Sequence, residues 1–287
     1  MHRARRVAFS SWSWSVKAST APVGPGPNVF SDSLENVWVD IAGRLHLRVT
    51  CRDGCWQAAE VVLDHSLGYG SYRFTLASHA DRLDPNVVLG LFTWSDGSTY
   101  HHREIDIEFA RWGKSVDNGQ YTVQPSTTGN SHTFVQPQTA PTTHAFRWLP
   151  DRVSFHSATA RGITVAEWDY RGPDVPVAGD ERTRINLWLY GGAAPTDGAE
   201  VEVVLSAFGF KPGYSRDNHW IMTGRSDGPL SQLASLPLGQ PAPDPEAFVV
   251  CQGVLEAFGA HLAPGADLLR LPCGTTLLRK EGLRIGL

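Results

Sequence analysis

Between about residues 9 and 210 the apolar positions come in short alternating or continuous runs, each broken by Gly, Pro, Asp or Asn, a pattern of strands rather than helices. It predicts strands at 37–41, 44–50, 58–63, 70–78, 87–94, 104–109, 120–124, 144–148, 152–157, 184–190 and 201–210, flanked by turns such as Asp-Gly, Gly-Tyr-Gly and Gly-Gly. So many strands bury their apolar faces only by stacking as two sheets, so the fold class is an all-β, two-sheet antiparallel sandwich. No repeat of fixed period points to a propeller or a solenoid.

The pattern lapses after Lys211-Pro212-Gly213. Residues 224–246 carry five prolines with Gly, Ser and Asp, and read as a linker or extended arm. Asp244-Pro245-Glu246 then resembles a helix start, and Phe248, Cys251, Leu255, Phe258 and Leu262 recur at helical spacing until Pro264-Gly265. The expected organisation is a leader at 1–8, a sandwich at 9–212, and an extension at 213–287 that contains one helix.

Composition narrows the partners. A formal net charge of −4 with 19% charged residues lacks the basic excess that nucleic acid or an anionic membrane would call for, and no segment approaches a transmembrane helix in length. Neither nucleic acid nor membrane is expected as a partner, and a monomer is. The opening MHRARRVAFSSWSWSVKAS is basic but has no continuous apolar run, so it does not read as a signal peptide. Four cysteines fall into two local pairs, Cys51 with Cys55 and Cys251 with Cys273, from which no connectivity follows. Ten tryptophans fill a core or stack on flat ligands, sugar rings included.

One strand stands apart, in the stretch HHREIDIEFARWG at 101–113. Glu104, Asp106 and Glu108 alternate with Ile105, Ile107 and Phe109, so on a strand the three carboxylates share a face while the apolar residues turn to the core. A merely solvated face mixes signs, because like charges side by side repel. Glycoside hydrolysis supplies a reason for the cluster. A retaining enzyme needs one carboxylate to attack the anomeric carbon and one carboxylic acid to protonate the leaving oxygen, about 5–5.5 Å apart. Residues i and i+4 of a straight strand are about 13 Å apart, so Glu104 and Glu108 must lean together, as on a concave sheet. Crowding also raises the proton affinity of the set, which titrates as a unit. The competing reading adds His102 to make a metal site, but ligands at every second position of one strand diverge.

The hexapeptide Glu104-Ile105-Asp106-Ile107-Glu108-Phe109 resembles the signature of glycoside hydrolase family sixteen, the retaining endo-β-glucanases. Its E-x-D-x-E spacing is similar to the lichenase and xyloglucan endotransglycosylase branch. Other segments over about residues 9–211 follow the family's order: Ala59-Glu60 with Gly68-Tyr69-Gly70, Val88 to Trp94, Phe146-Arg147-Trp148-Leu149-Pro150, and Asn186-Leu187-Trp188. The resemblance implies a concanavalin A-like β-jelly roll with a cleft across its concave sheet. It implies Glu104 as nucleophile, Asp106 as its helper and Glu108 as general acid/base. It places Asn186, Trp188, Tyr190 and Trp94 along the cleft, with Gln120, Gln124, His102 and Trp112 as further sugar contacts and Trp148 in the core. Catalysis would need no cofactor; a structural calcium, common in the family, has no ligands that can be placed. The lichenase disulfide has no counterpart, Ser31 and Ala58 occupying its approximate positions, and His144 stands where the family has an aromatic residue. An extracellular or periplasmic location is what the resemblance implies.

The function expected is therefore endo-acting, retaining hydrolysis of a β-linked polysaccharide such as a β-1,3/1,4-glucan. The same sandwich hosts lectins, which bind sugar without turnover, and a transglycosylase would use the same intermediate with a sugar acceptor.

Overall fold

The computed structural model describes residues 4–113 and 117–213 in full and, beyond them, the backbone of five short strands. The chain divides into two compact units, 1–213 and 214–287.

The first unit is the expected sandwich. One sheet runs β11 (Ser131–Phe134), β10 (Gly119–Val123), β9 (Ile105–Phe109), β8 (Val87–Trp94), β15 (Arg182–Leu189), β6 (Cys55–Leu63), β2 (Trp12–Val16) and β1 (Arg6–Phe9), antiparallel throughout. The other runs β4 (Val37–Val39), β5 (Leu45–Arg52), β16 (Val201–Pro212), β7 (Gly70–Leu76), β12 (Thr142–Leu149), β13 (Arg152–Thr159) and β14 (Thr164–Tyr170). The β5–β6 hairpin joins the two, and β3 (Val29–Phe30) lies parallel to β6 at that junction.

Alternation assigns the faces. Ile105, Ile107 and Phe109 of β9, Leu89 and Leu91 of β8, Ile185 and Leu187 of β15 and Val61 of β6 are all buried, in one core with Phe74, Phe146, Trp148, Phe155 and Leu205 of the opposite sheet. A buried aliphatic or aromatic side chain contributes about 1.5–3 kcal/mol, so this shared core is what fixes the register of β9. With that register set, every even-numbered residue of β8, β9 and β15 must turn to the other face, which is the site described below.

All eleven predicted strands are present, the one at 87–94 with the ends predicted and the rest with shifted ends. Five others of this unit were not expected: β1, β2, β3, β11 and β14. Arg6–Phe9, largely assigned above to a leader, is paired with Trp12–Val16, and Trp14 is fully buried. Strand β15 ends at Leu189, and Tyr190 opens a 3₁₀ turn (Tyr190–Gly192) instead of continuing the alternation. Cys51 and Cys55 are free and exposed, whereas Cys251 and Cys273 lie outside the described residues. Ser31 and Ala58 are neighbours, the Ser31 amide donating to the Ala58 carbonyl at 3.0 Å.

In the second unit the described strands are His219–Arg225, Val249–Val250, Leu268–Arg270, Thr275–Glu281 and Arg284–Ile285, paired antiparallel. Most of the helix predicted there lies outside the described residues; Val249–Val250, which falls inside it, is a strand, its backbone paired with Trp220 and Ile221 instead of within a helix. No helix among the described residues is long and apolar enough to cross a membrane.

Candidate active site

The cleft-facing side of the first sheet is set by cross-strand register. Glu108 stands opposite Gly90, Gly90 opposite Asn186, and Asn186 opposite Glu60. One step along, Asp106 faces Phe92 and Phe92 faces Arg184. These residues, with Glu104, Trp94, Asp96, Trp188, Lys17, Gly24 and Pro25, line a cleft of about 620 Å³.

The three carboxylates sit together on its floor. Asp106 is buried and Glu104 and Glu108 are half-buried, open to the cleft. Burial, and then the charges of Asp106 and Glu108, push Glu104 up to about 10. Burial likewise raises Asp106 to about 7, against the pull of an amide hydrogen bond from Gln124. Glu108 is raised well above its ordinary value by burial and by Asp106. The set shares protons and carries fewer than three negative charges at neutral pH, so a carboxylic acid is at hand.

Glu104 is held from behind. Four residues before it, Tyr100 to Arg103, have φ between 50° and 63°, a left-handed run that non-glycine residues adopt only under constraint. The constraints are visible. His102 stacks on Trp94, ring centroids 4.1 Å apart and planes 8° apart, and its Nδ1 donates to the Ser95 carbonyl at 3.0 Å. Thr93 Oγ1 donates to the Arg103 carbonyl at 2.8 Å, and Arg103 reaches the Val177 carbonyl at 2.9 Å and Asp180 at 3.1 Å. His102 therefore sits in a 3₁₀ turn (His101–Arg103) before β9, not in the unbroken strand that the metal reading assumed.

Of the other residues singled out in the sequence, Trp94, Asn186 and Trp188 line the cleft. Trp112 and Tyr190 continue an aromatic row beyond Trp188, with Trp112 centred 6.3 Å from Trp188 and 5.5 Å from Tyr190. Gln120 lies opposite Glu108, but its amide donates to Thr122 Oγ1 at 2.8 Å. Gln124 holds Asp106 rather than lining the cleft. Trp148 is in the core, its Nε1 donating to the Pro176 carbonyl at 3.1 Å.

Sequence reasoning missed a charged group at the far side of the floor. Arg184 donates to Glu60 at 3.1 Å and to Asp96 at 2.7 Å, and Lys17 donates to Glu60 at 2.9 Å. The alternation of β15 already placed Arg184 on the face of Asn186 and Trp188, and was the available signal. Two polar atoms of this floor, Asn186 Oδ1 and Arg184 Nε, are buried with no hydrogen-bond partner among the described residues.

No family model matches the sequence, and no curated protein does. Solved structures do match. A lichenase (β-1,3-1,4-glucanase) derived from a mouse hindgut metagenome is 20% identical, with TM-score 0.52 over 70% of this chain and 93% of that one. A pseudo β-1,3-glucanase and immunostimulatory antigen of Mycobacterium tuberculosis is 19% identical, with TM-score 0.54 over 70% and 91%. A non-specific endo-β-1,3(4)-glucanase from glycoside hydrolase family sixteen is 12% identical, with TM-score 0.53 over 69% and 83%. The sandwich is thus the jelly roll that these proteins share.

Proposed function

We propose that this protein is a retaining glycoside hydrolase of β-linked polysaccharide, with β-1,3/1,4-glucan as the substrate class. The observation that carries the reading is the row of Glu104, directly before β9, with Asp106 and Glu108 of β9, all three lining a cleft that Trp94 and Trp188 also line. Binding alone gives no reason to crowd three acids where each raises the proton affinity of the next.

In the proposed reaction Glu104 attacks the anomeric carbon while the bond to the leaving oxygen breaks, and Glu108 gives that oxygen its proton. Glu108, now ionised, takes a proton from water. The oxygen of that water attacks the same carbon and releases Glu104, so the anomeric configuration is retained. Asp106, between the two, shares a proton with the nucleophile and fixes its rotamer. Trp94 and Trp188 offer faces for sugar rings, and Asn186 Oδ1 an acceptor for a hydroxyl. A sugar acceptor in place of water would make the same site a transglycosylase.

A second reading, sugar binding without turnover, is favoured by the pseudo-glucanase among the proteins of the same fold. The test is a panel of mixed-linkage glucan, laminarin, xyloglucan, agarose, carrageenan and chitin oligomers with wild type, Glu104→Gln and Glu108→Gln. Hydrolysis with retained configuration, lost in Glu104→Gln, is expected. Undiminished turnover in that variant, or an inverted first product, sinks the assignment; binding without turnover in all three proteins leaves the lectin.

A further inference from the structure

Glu60 faces the cleft, three strands from Glu108, yet its side chain is only 1% exposed. Glu104 and Glu108, on the same face, keep part of their surface open. Lys17 and Arg184 lie against the two carboxylate oxygens of Glu60, and Gly24 and Pro25 of the loop 18–28 line the cleft at that end. Lys17, just beyond β2, donates upward to the Gly24 carbonyl at 2.7 Å and to Glu60 at 2.9 Å, with its ammonium 3.9 Å from the centre of the Phe30 ring. One side chain thereby ties the loop to the floor.

The loop is fastened elsewhere too. Asn28 exchanges two hydrogen bonds with the backbone of Leu189 at the end of β15, at 2.8 and 3.0 Å, and its amide also reaches the Pro25 carbonyl at 3.0 Å. Val23 and Asn28 exchange backbone hydrogen bonds across the loop at 2.8 and 3.0 Å. A hairpin held at its base, its tip and its underside does not swing aside at small cost.

We propose that the Lys17–Gly24 bridge closes the cleft at its β2 end, so that a polysaccharide enters as a chain end and cleavage releases a short product of bounded length. This rests on the reading of the cleft as a polysaccharide site. From β9 to β2 there are four strand spacings of about 4.8 Å, roughly 19 Å, the length of about three to four hexose rings. A chain lying across the strands from the carboxylates meets the loop after that distance. Lys17 and Glu60 are then the residues that set product size, and the endo action that the family resemblance implies gives way to action near a chain end.

Two measurements test this. The first is the fall in viscosity per bond cut when wild type digests mixed-linkage glucan or laminarin, with product lengths followed from the first per cent of cleavage. Early products of three to four sugars with slow loss of viscosity are expected, and Lys17→Ala, checked for an unchanged melting temperature, should lengthen the products and steepen the viscosity loss. A steep fall with products of mixed length from wild type overturns the proposal. The second needs no turnover: fluorescence polarisation of Glu104→Gln with hexasaccharides bearing a bulky dye at either the reducing or the non-reducing end. A closed cleft binds one isomer at least about tenfold more weakly, because the dye cannot pass the loop. Equal binding of both isomers overturns the closure even if wild type hydrolyses glucan. Unequal binding with no wild-type turnover keeps the closure and removes the hydrolase reading. No binding of either isomer overturns both.

Discussion

Gln124 donates its side-chain amide to Asp106 Oδ2 at 3.0 Å, and the direction of that bond is fixed because the Gln124 carbonyl oxygen is already taken by the Ser126 amide at 2.8 Å. The donor stabilises the ionised form of Asp106 and opposes the burial that raises its pKa. Gln124→Leu removes a hydrogen bond to a charged group, a loss of about 1.5–3 kcal/mol. Kcat on a soluble glucan should fall by about ten- to a hundredfold. The acidic limb of the pH profile should move to higher pH, since Asp106 then holds its proton more tightly. An unshifted limb would mean that Asp106 does not titrate with the reaction.

The same three carboxylates make the folded protein sensitive to base. Their pKa values are raised from ordinary values of 4.5 and 3.8 to about 10 for Glu104 and about 7 for Asp106, so the native state binds protons that the unfolded chain has released. Stability from this source is fully present below about pH 4 and is lost as pH rises through the folded values. Each unit of raised pKa corresponds to about 1.4 kcal/mol. Glu104→Gln should therefore be more stable than wild type at pH 9 by upwards of about 1 kcal/mol, or about 2–4 °C in Tm. The check is Tm against pH between 7 and 9.5 for both proteins. Parallel curves would show that the native carboxylates hold no extra protons.

That sensitivity also bears on what could be read from the chain. Glu104, Asp106 and Glu108 stood out because three acids in alternation conflict with ordinary sheet design, and β9 carried its own register in Ile105, Ile107 and Phe109. Arg184 and Glu60 did not stand out. Glu60 is one charge in an apolar run and Arg184 ends a charged run after Asp180, Glu181 and Arg182, and their pairing depends on β15 and β6 lying side by side across 124 positions of sequence. Strand β14 was missed although Ala166, Trp168 and Tyr170 alternate with Glu167 and Asp169; as an edge strand it fully buries Tyr170 alone. Strand β1, RVAF, lies largely within the basic start that read as a leader, and β2, WSWSV, alternates plainly just behind it. The loop 18–28 has no pattern at all, since its position comes from Lys17 and Asn28 reaching distant backbone.

Gly90 is the next position where a small change should have a large effect. A Cβ there would lie 2.5 Å from Asn186 Oδ1, closer than real contacts allow. Asn186 is 2% exposed, so it has little room to retreat except into the space above Glu108. Gly90→Ala should cost about 1–3 kcal/mol of stability by overpacking. On the proposed role of Asn186 as a sugar contact in both ground and transition states, it should also raise KM more than it lowers kcat. An unchanged KM would remove Asn186 from the substrate contacts.

Behind β9 lies a buried polar chain that should be as sensitive as the cleft. Tyr121 of β10, opposite Ile107, donates to Ser157 at 2.6 Å; Ser157 is hydrogen-bonded to His144 Nδ1 at 2.7 Å, and His144 Nε2 to Thr142 at 2.8 Å. His144 also meets the edge of Phe109 at 4.6 Å, so this chain ties the second sheet to β9. Burial lowers His144 to about 3, which keeps it neutral where the chain needs it. The unfolded chain binds a proton near pH 6.5 that the native state refuses, so stability from this group is present above pH 6.5 and is lost as pH falls toward 3. Ser157→Ala leaves His144 Nδ1 without its partner and should cost about 1–3 kcal/mol at pH 7. His144→Gln should flatten the loss of Tm between pH 6.5 and 4. If His144→Gln instead loses Tm over that range as steeply as wild type, the acid sensitivity lies elsewhere and the chain through Ser157 is not what holds β9 against the second sheet.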